Sequence, residues 1–406
     1  TWVLENIESG QVDRVVIALN ISLEALATVD PVLPDGAIDL EAQASGVKFT
    51  PVAGLPPISE AKAAIHVTGQ NVRIRVTNGV MDLGRKRRLT IPEGTFEVPQ
   101  HYKNPATGIV QMKIEGNGES VADLLSRDLL KGETGVALNP ETTRGHIVSN
   151  LRIELPLKRE LLRSEVRYSA EVDFSGVSAD NIVKGQKIEH ANGKITISAA
   201  QFFVKGEGRI GGAPSVFEYT KPRDKPDAEF RVAATFDDAA RSRFGMELSS
   251  LTGPITIRAV GYTSDKETRV NVEADLTAST IVELAPGWNK QAGRPARAVY
   301  RLVERDNLIK LEELSVTGSG VNLKGSLDLD ADGGLISANF TTFALSEGDR
   351  ATLTVDRHDG AMRITLRGTV LDARGILRSL SETPSAAKKR EKPRDIDADV
   401  RIGAAT

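Results

Sequence analysis

The stretch "MRITLRGTV", residues 362–370, alternates apolar and polar side chains. A period of two places Met362, Ile364 and Leu366 on one face of a β-strand and the polar residues on the other. The same alternation recurs in segments such as "AAIHVTG", "EVRYSAEVDFSGV", "GPITIRAVG" and "VNLKGSLDLD", which Gly, Asn, Asp or Pro separate. The sequence therefore predicts an all-β chain built from hairpins, with strands of about six residues.

Composition narrows the classes of function. Aromatic residues make up only 4% of the 406 residues, so apolar burial depends on Val, Ile, Leu and Ala. A net charge of −3 and few aromatics to stack on bases argue against nucleic-acid binding, despite the basic runs at 84–88 and 388–392. The absence of cysteine excludes disulfides and thiolate metal sites.

Helical signals are sparse. Three short segments have helical periodicity, at 119–131, 237–248 and 372–380, and Asp237 is a candidate N-cap. They are too short to cover the predicted strands. Tight turns are expected at "TNGV", 77–80, as a type I′ hairpin, and at "DADGGL", 330–335.

The domain organisation follows from the composition along the chain. Residues 1–380 are expected to form one continuous β region, and the polar, charged segment 381–395 a disordered linker. Residues 396–406 are expected to begin a further, truncated β module. The chain starts without Met, so we expect an internal fragment of a longer protein.

Two motifs suggest ligand sites but lack the required context. "GEGRIGG", 206–212, matches a dinucleotide loop, yet an extended segment follows where a helix is required. "DLDADG", 328–333, matches the start of a calcium loop, but Asn339 stands where the bidentate Glu belongs. We interpret the first as a glycine-rich strand or turn and the second as a hairpin.

Catalytic signatures are missing from the sequence. The five histidines are scattered without metal-ligand spacing, and no nucleophile elbow occurs. We therefore expect no catalytic residue, no metal, no cofactor and no enzymatic activity.

Several segments resemble the AsmA-like envelope proteins of the YhdP and TamB type. "VKFTPVAGLPPISEAKAAIHVTGQNVRIRVTNGVMDL" is similar to their Leu-Pro segment and two following strands, "ADLTASTIVELAPGWNKQAGRPARAVYRL" to a later strand and turn, and 345–380 to the region before their C-terminal module. The matching positions are Leu55, Pro56, Gly69, Gly79, Asp275, Leu276, Gly287, Trp288, Lys290, Gly293, Pro295, Gly368, Asp372 and Arg374.

This resemblance implies a fold, a place and a function. The fold would be a long, curled, mostly antiparallel sheet forming an apolar trough, with two or three short helices. The protein would lie in the periplasm of Gram-negative bacteria, anchored in the inner membrane by a segment outside this sequence. Phospholipids would slide along the trough between the inner and outer membranes.

Alternation alone selects the candidate residues of the trough. They are the apolar members of the clearest alternating segments: Ile65, Val67, Ile74, Val76, Val166, Tyr168, Val172, Phe174, Ile195, Ile197, Phe230, Val232, Phe236, Val270, Val272, Leu276, Leu323, Leu327, Leu329, Leu353, Val355, Ile364 and Leu366. The same residues could instead form the closed core of a two-sheet sandwich or a β-solenoid.

Two further classes of function stay open. The protein could be an envelope structural or assembly factor that engages outer-membrane or periplasmic proteins through its sheet edges. It could also be a carbohydrate-binding or adhesive β-domain, although two tryptophans offer little aromatic surface for one.

Overall fold

A computed structural model describes residues 6–27, 31–51, 54–127, 138–158, 160–183, 185–246, 248–264, 266–285, 287–331, 333–358, 361–374 and 396–405. It confirms the predicted all-β fold with long, mostly antiparallel strand ladders. The chain forms two compact units, residues 1–210 and 211–406. The continuous β region expected over 1–380 stays a prediction. The predicted linker and most of the predicted helix at 372–380 lie outside the described residues.

Unit 1 is a ladder of ten antiparallel strands, each paired with the next along the chain. The strands are β1 Ile7–Leu19, β2 Ile38–Phe49, β3 Ile58–Thr68, β4 Val72–Gly84, β5 Arg87–Val98, β6 Ala106–Asn117, β7 Arg144–Leu157, β8 Arg167–Val183, β9 Gln186–Ile197 and β10 Gln201–Ile210. Most are about twice the predicted length.

Unit 2 contains a ladder of eleven strands and a small separate sheet. The ladder strands are β11 Ala213–Pro222, β12 Ala228–Phe236, β14 Ile255–Thr263, β15 Glu267–Asp275, β18 Ala296–Arg305, β19 Leu308–Gly318, β20 Asn322–Leu329, β21 Leu335–Ala344, β22 Arg350–His358, β23 Ala361–Leu371 and β24 Ile396–Ala405. The small sheet consists of β13 Leu251–Thr252, β16 Thr280–Val282 and β17 Asn289–Lys290.

Strand β24 is the parallel member of the unit 2 ladder. It pairs with β23, with Ile364 opposite Ala398 and Leu366 opposite Val400. Residues 396–405 thus extend the ladder of unit 2. That residues 396–406 begin a further module stays a prediction. Arg363 and Arg367 of β23 bind Asp397 and Asp399 of β24 across this pairing.

The described residues contain three short α-helices between the strands: α1 Leu23–Leu26, α2 Gly118–Leu125 and α3 Asp238–Arg243. Helix α2 ends six residues before the predicted end at 131, and residues beyond 127 there are not described. Asp237 caps α3 as predicted, because its carboxylate accepts the Ala240 N–H at 2.8 Å. Helix α1 was not predicted.

The two predicted turns have different outcomes. The turn at 330–335 is confirmed, since it joins β20 to β21 and the Gly333 N–H donates to the Asp330 carbonyl. The hairpin predicted at 77–80 is wrong, because those residues lie inside β4. Asn78 does take a positive φ of 58°, as a type I′ turn requires, but Glu60 in β3 does the same at 61° in the facing segment. The strands therefore share an irregularity and continue through it.

That irregularity preserves the side-chain match between β3 and β4. On one side of it Ile65 is opposite Ile74, and on the other Ile58 is opposite Met81. Moving across the irregularity in the same direction, the apolar residues of β4 change from even numbers (Ile74) to odd numbers (Met81). Those of β3, which runs the opposite way, change from odd numbers (Ile65) to even (Ile58). Both strands change together, so apolar residues keep facing apolar residues.

Glycines mark places where a neighbouring backbone approaches the sheet closely. A Cβ on Gly325 of β20 would lie 2.1 Å from the Asn339 carbonyl oxygen and 2.7 Å from the Phe340 Cα. Gly261 of β14 meets Arg269 and Val270 of β15 in the same way. Only glycine fits there, because any side chain would enter the adjacent strand.

Replacing Gly325 should therefore destabilise unit 2. We expect Gly325→Ala to lower the free energy of unfolding by about 2–3 kcal/mol, the usual cost of overpacking. Gly36→Ala is the matched control, since no heavy atom lies within 4 Å of its added Cβ; its effect should stay within about 0.5 kcal/mol. Urea unfolding measures both, and equal midpoints for the two variants would contradict this account of the strand spacing.

Candidate functional site

An unbroken apolar row crosses all eleven ladder strands of unit 2. Each member is the register partner of the next, so the side chains lie on one face of the sheet. The row consists of Tyr219, Phe230, Gly261, Val270, Leu302, Leu311, Leu327, Ala338, Val355, Ile364 and Ala398. The adjacent row on the opposite face is largely polar: Glu218, Arg231, Val260, Asn271, Arg301 and Glu312.

Unit 1 has an equivalent row across all ten of its strands. The row consists of Val12, Ala44, Ala63, Val76, Gly94, Met112, Leu151, Ala170, Ile197 and Phe202. On the opposite face the corresponding row is mainly polar: Gln43, Ala64, Arg75, Thr95, Gln111, Arg152 and Ser169. We call the side that carries the apolar row in each unit its apolar face.

The predicted trough residues that lie in ladder strands all belong to the apolar face of their unit. Val166 directly precedes β8, and Leu276 directly follows β15. Six candidates are fully buried: Val270, Val272, Leu276, Leu323, Val355 and Leu366. The others are half-buried. The register therefore brings the candidates of each unit together, and whether they form a trough for a ligand stays a prediction.

Several strands contribute to the apolar face without having been selected from the sequence. They supply Phe96, Val110, Met112, Leu151, Ile153, Leu302, Leu311 and Phe340, from β5, β6, β7, β18, β19 and β21. A signal was present in β7, where Leu151, Ile153 and Leu155 alternate with Arg152 and Glu154. In β19 a bulge between Leu311 and Leu314 interrupts the apolar–polar alternation. A strict period of two therefore identifies the apolar residues on only one side of the bulge.

The apolar faces are only partly covered by the described residues. In a two-sheet sandwich, a second layer would bury the inner face. Here Ile65, Ile74, Phe96 and Val110 in unit 1 stay half-buried, as does Leu327 in unit 2. A large buried cluster lies at one end of each face, where a short cap packs against it, and in unit 2 Val270, Ala338 and Val355 of the row are buried as well.

Helix α2 forms the cap of unit 1. Val121 and Leu124 pack against a buried cluster of Val47, Ile58, Ala61, Met81, Leu83, Leu89 and Ile91. Asn117 caps the helix by accepting the Ser120 N–H at 2.9 Å. Buried Arg87 of β5 fastens it, since its guanidinium lies 2.8 Å from the Asp123 carboxylate.

The cap of unit 2 consists of α3 and the small sheet β13–β16–β17. Leu251, Ile281 and Trp288 from this cap join Ile255 and Leu323 from the ladder in one buried cluster. The residues that resemble the AsmA-like Gly-Trp-x-Lys turn therefore close one end of the apolar face.

A buried lysine holds this cap together. The Lys290 ammonium lies within hydrogen-bond distance of four backbone carbonyl oxygens, those of Ser279 at 2.6 Å, Arg294 at 3.0 Å, and Thr277 and Gln291 at 3.2 Å, which share its three N–H donors. Burial lowers the pKa of Lys290, and the Asp275 charge partly opposes that shift. No carboxylate among the described residues lies within ion-pair distance of the Lys290 ammonium, so its charge is stabilised by the carbonyl dipoles.

Removing the ammonium should loosen the unit 2 cap. We expect Lys290→Met, which keeps the length of the side chain, to lower the free energy of unfolding by about 2–4 kcal/mol, because buried carbonyls lose their donor. Lys290→Arg should recover little, since a planar guanidinium does not match four converging carbonyls. Thermal unfolding and Trp288 fluorescence report the effect; an unchanged emission maximum and melting temperature for Lys290→Met would contradict it.

Ionisable groups on the apolar face are scarce. Tyr219 and Tyr300 lie there, and burial raises the pKa of both phenols. In the described part of the chain, no group of three or more His, Cys, Asp and Glu residues is placed to hold a metal ion. In the calcium-like segment, Asp330 accepts the Gly334 N–H at 2.6 Å and Asp328 accepts the Ser337 hydroxyl, as the hairpin interpretation predicts.

The dinucleotide-like motif also follows its simpler interpretation. Gly206 and Gly208 lie within β10, and Gly211 and Gly212 take positive φ in the turn that follows. The next described element is strand β11, so no helix follows the loop as a dinucleotide site requires. Among the described helices, none has the length and apolar character needed to cross a bilayer.

Comparisons with protein-family models, with curated proteins and with solved structures find no match for this chain. The resemblance to the AsmA-like proteins therefore remains a prediction from the sequence.

Proposed function

We propose that this chain is part of a non-enzymatic conduit for phospholipids, in which acyl chains lie on the apolar faces while headgroups stay in water. The conduit would run between the inner and outer membranes of a Gram-negative envelope. The observation that carries the proposal is the row from Tyr219 to Ala398, in which eleven consecutive ladder strands each present an apolar residue or glycine to one face.

The energy of hydrocarbon transfer explains why such a face is useful. Each CH₂ group gains about 0.8 kcal/mol of free energy on leaving water. Moving a sixteen-carbon chain through water without cover would therefore cost roughly 13 kcal/mol. A continuous apolar surface lowers that barrier. The free energy of the bound chain must be similar all along the surface, because one site of much tighter binding would retain the lipid.

The dimensions and chemistry of the faces suit this task. A twelve-residue strand such as β2 spans about 40 Å, whereas one acyl chain covers roughly half of a 30 Å bilayer core. Side chains along the rows are mostly aliphatic, without the convergent polar groups that fix one defined ligand. This favours fluid hydrocarbon over a sugar or a nucleotide.

Phospholipid should copurify with the protein and depend on the apolar face. We expect native mass spectrometry of the purified chain to detect bound phospholipid, and Leu327→Lys to reduce the bound fraction severalfold, because the charge lies in the middle of the row. Leu327 suits this test better than Val272, which is only 7% exposed and whose replacement by Asp would disturb folding.

The control is Ser326→Lys, which places the same charge one residue away on the opposite face. It should keep its lipid, and circular dichroism should be the same for both variants. Equal lipid occupancy in the two folded variants, or no lipid in the wild type, would contradict the proposal.

A second function is favoured by one observation. All thirteen residues of β1 are exposed, including Val15, Ile17 and Leu19 at 51–65%, and no described strand pairs along the outer edge of β1. A long apolar edge is suited to accepting a strand from another protein. This would make the chain an assembly factor of the envelope.

Crosslinking separates the two functions. A photoreactive residue at Val16 of β1 should capture protein if edge pairing is the main activity, whereas one at Leu327 should capture phospholipid if the conduit proposal holds. Protein adducts at Val16 with no lipid adduct at Leu327 would favour the assembly factor.

A further inference from the structure

The hairpin between β4 and β5 ends in an unusual pair of residues. Gly84 pairs with Arg87, which leaves Arg85 and Lys86 as a two-residue loop with φ values of 52° and 63°. Positive φ at both central positions is the geometry of a type I′ turn, which strongly prefers Asn-Gly or Asp-Gly. Residues with a Cβ collide with the backbone in this conformation, so Arg and Lys are poor choices for the turn itself.

Another hairpin of the chain shows the usual solution. Arg305 pairs with Leu308 across Asp306 and Asn307, whose φ values are 50° and 62°. That loop has the same length and nearly the same backbone angles, and it uses Asp and Asn, which tolerate them. The basic pair at 85–86 is therefore not imposed by the hairpin geometry.

The two basic side chains at the tip are available to a partner. Arg85 is 81% exposed, and its closest carboxylate, Glu141 at 4.0 Å, is already bound by Arg87. Lys86 is exposed and forms no ion pair with any described residue. Arg85 and Lys86 therefore have a strained backbone, and their charges contribute little to the stability of the fold. Backbone strain of this kind is typical of sites that bind a partner.

The position of the tip indicates the chemistry of the partner. Leu83 and Leu89, which flank it, belong to the buried cluster under helix α2, so the cationic tip lies at the capped end of the unit 1 apolar face. A cationic tip beside an apolar face complements a molecule with an anionic head and a hydrocarbon tail. No described aromatic residue flanks the loop for stacking on bases, which disfavours nucleic acid.

We propose that the Arg85–Lys86 hairpin tip docks unit 1 on an anionic phospholipid surface through the lipid phosphates. Two lysine or arginine residues at such a surface account for about a ten- to thirtyfold gain in affinity at low salt. Docking would bring the α2 end of the apolar face to the bilayer. This role requires only surface binding and does not depend on acyl chains occupying the face.

The test is a vesicle cosedimentation assay with the double variant Arg85→Asn, Lys86→Gly. This variant supplies the preferred type I′ residues, so it should melt at a higher temperature than the wild type while binding phosphatidylglycerol–phosphatidylethanolamine vesicles roughly tenfold or more weakly. Lys62→Gln with Lys103→Gln is the charge-matched control, since both lysines are exposed in unit 1 away from the tip; it should bind like the wild type.

Vesicle binding by the variants distinguishes the proposal from its alternatives. Loss of binding in the tip variant alone, with wild-type binding absent on phosphatidylcholine vesicles and weakened by salt, supports the proposal. Unchanged binding of the tip variant, equal loss in the control, or equal wild-type binding to both vesicle types would overturn it. Leu327→Lys should still bind these vesicles, so failure of the conduit proposal is read separately.

Discussion

The hydrogen-bond register between neighbouring strands is the constraint on which both units depend. Side chains alternate along a strand with a period of two, so a slip of one residue would move an entire strand's apolar set to the polar face. From Tyr219 to Ala398 the register never makes that slip along the central row. Irregularities occur, but at Glu60 and Asn78 two adjacent strands change side together, which preserves the match.

Close backbone approach and short caps complete this arrangement. Glycines such as Gly261 and Gly325 let a neighbouring strand come within a distance that no side chain allows. At one end of each face a cap excludes water, through helix α2 in unit 1 and through the Trp288 and Lys290 turn in unit 2. The caps bury large apolar residues. Along the central rows burial is mixed, since Val270, Ala338 and Val355 are buried while Leu327 is half-buried. The half-buried positions are where the proposed lipid would add cover.

The same contrast explains why apolar surface need not mean an ordinary core here. A closed sandwich would cover the inner face with a second layer, and its central residues would be the most buried. In unit 1 the largest fully buried apolar side chains, those of Ile58, Leu89 and Ile91, lie beneath the helix, while Ile65 and Ile74 further along the strands stay half-buried. The proposed lipid would supply the missing cover, and the basic tip at 85–86 would place that end against a bilayer.

Alternation within the sequence was enough to determine the all-β fold, the scarcity of helices and which side chains of a clear strand share a face, because these follow from local backbone geometry. Strand length, register and the sharing of one face by different strands depend on long-range pairing, which a single sequence does not contain. Tertiary pairing also decided that Asn78 lies within a strand, since β3 pairs with β4 on both sides of it and Glu60 in the facing segment also takes a positive φ. The carbonyl cage around Lys290 likewise exists only once residues 277–294 have folded back on the sheet, because four backbone groups must converge before a buried ammonium is stable there.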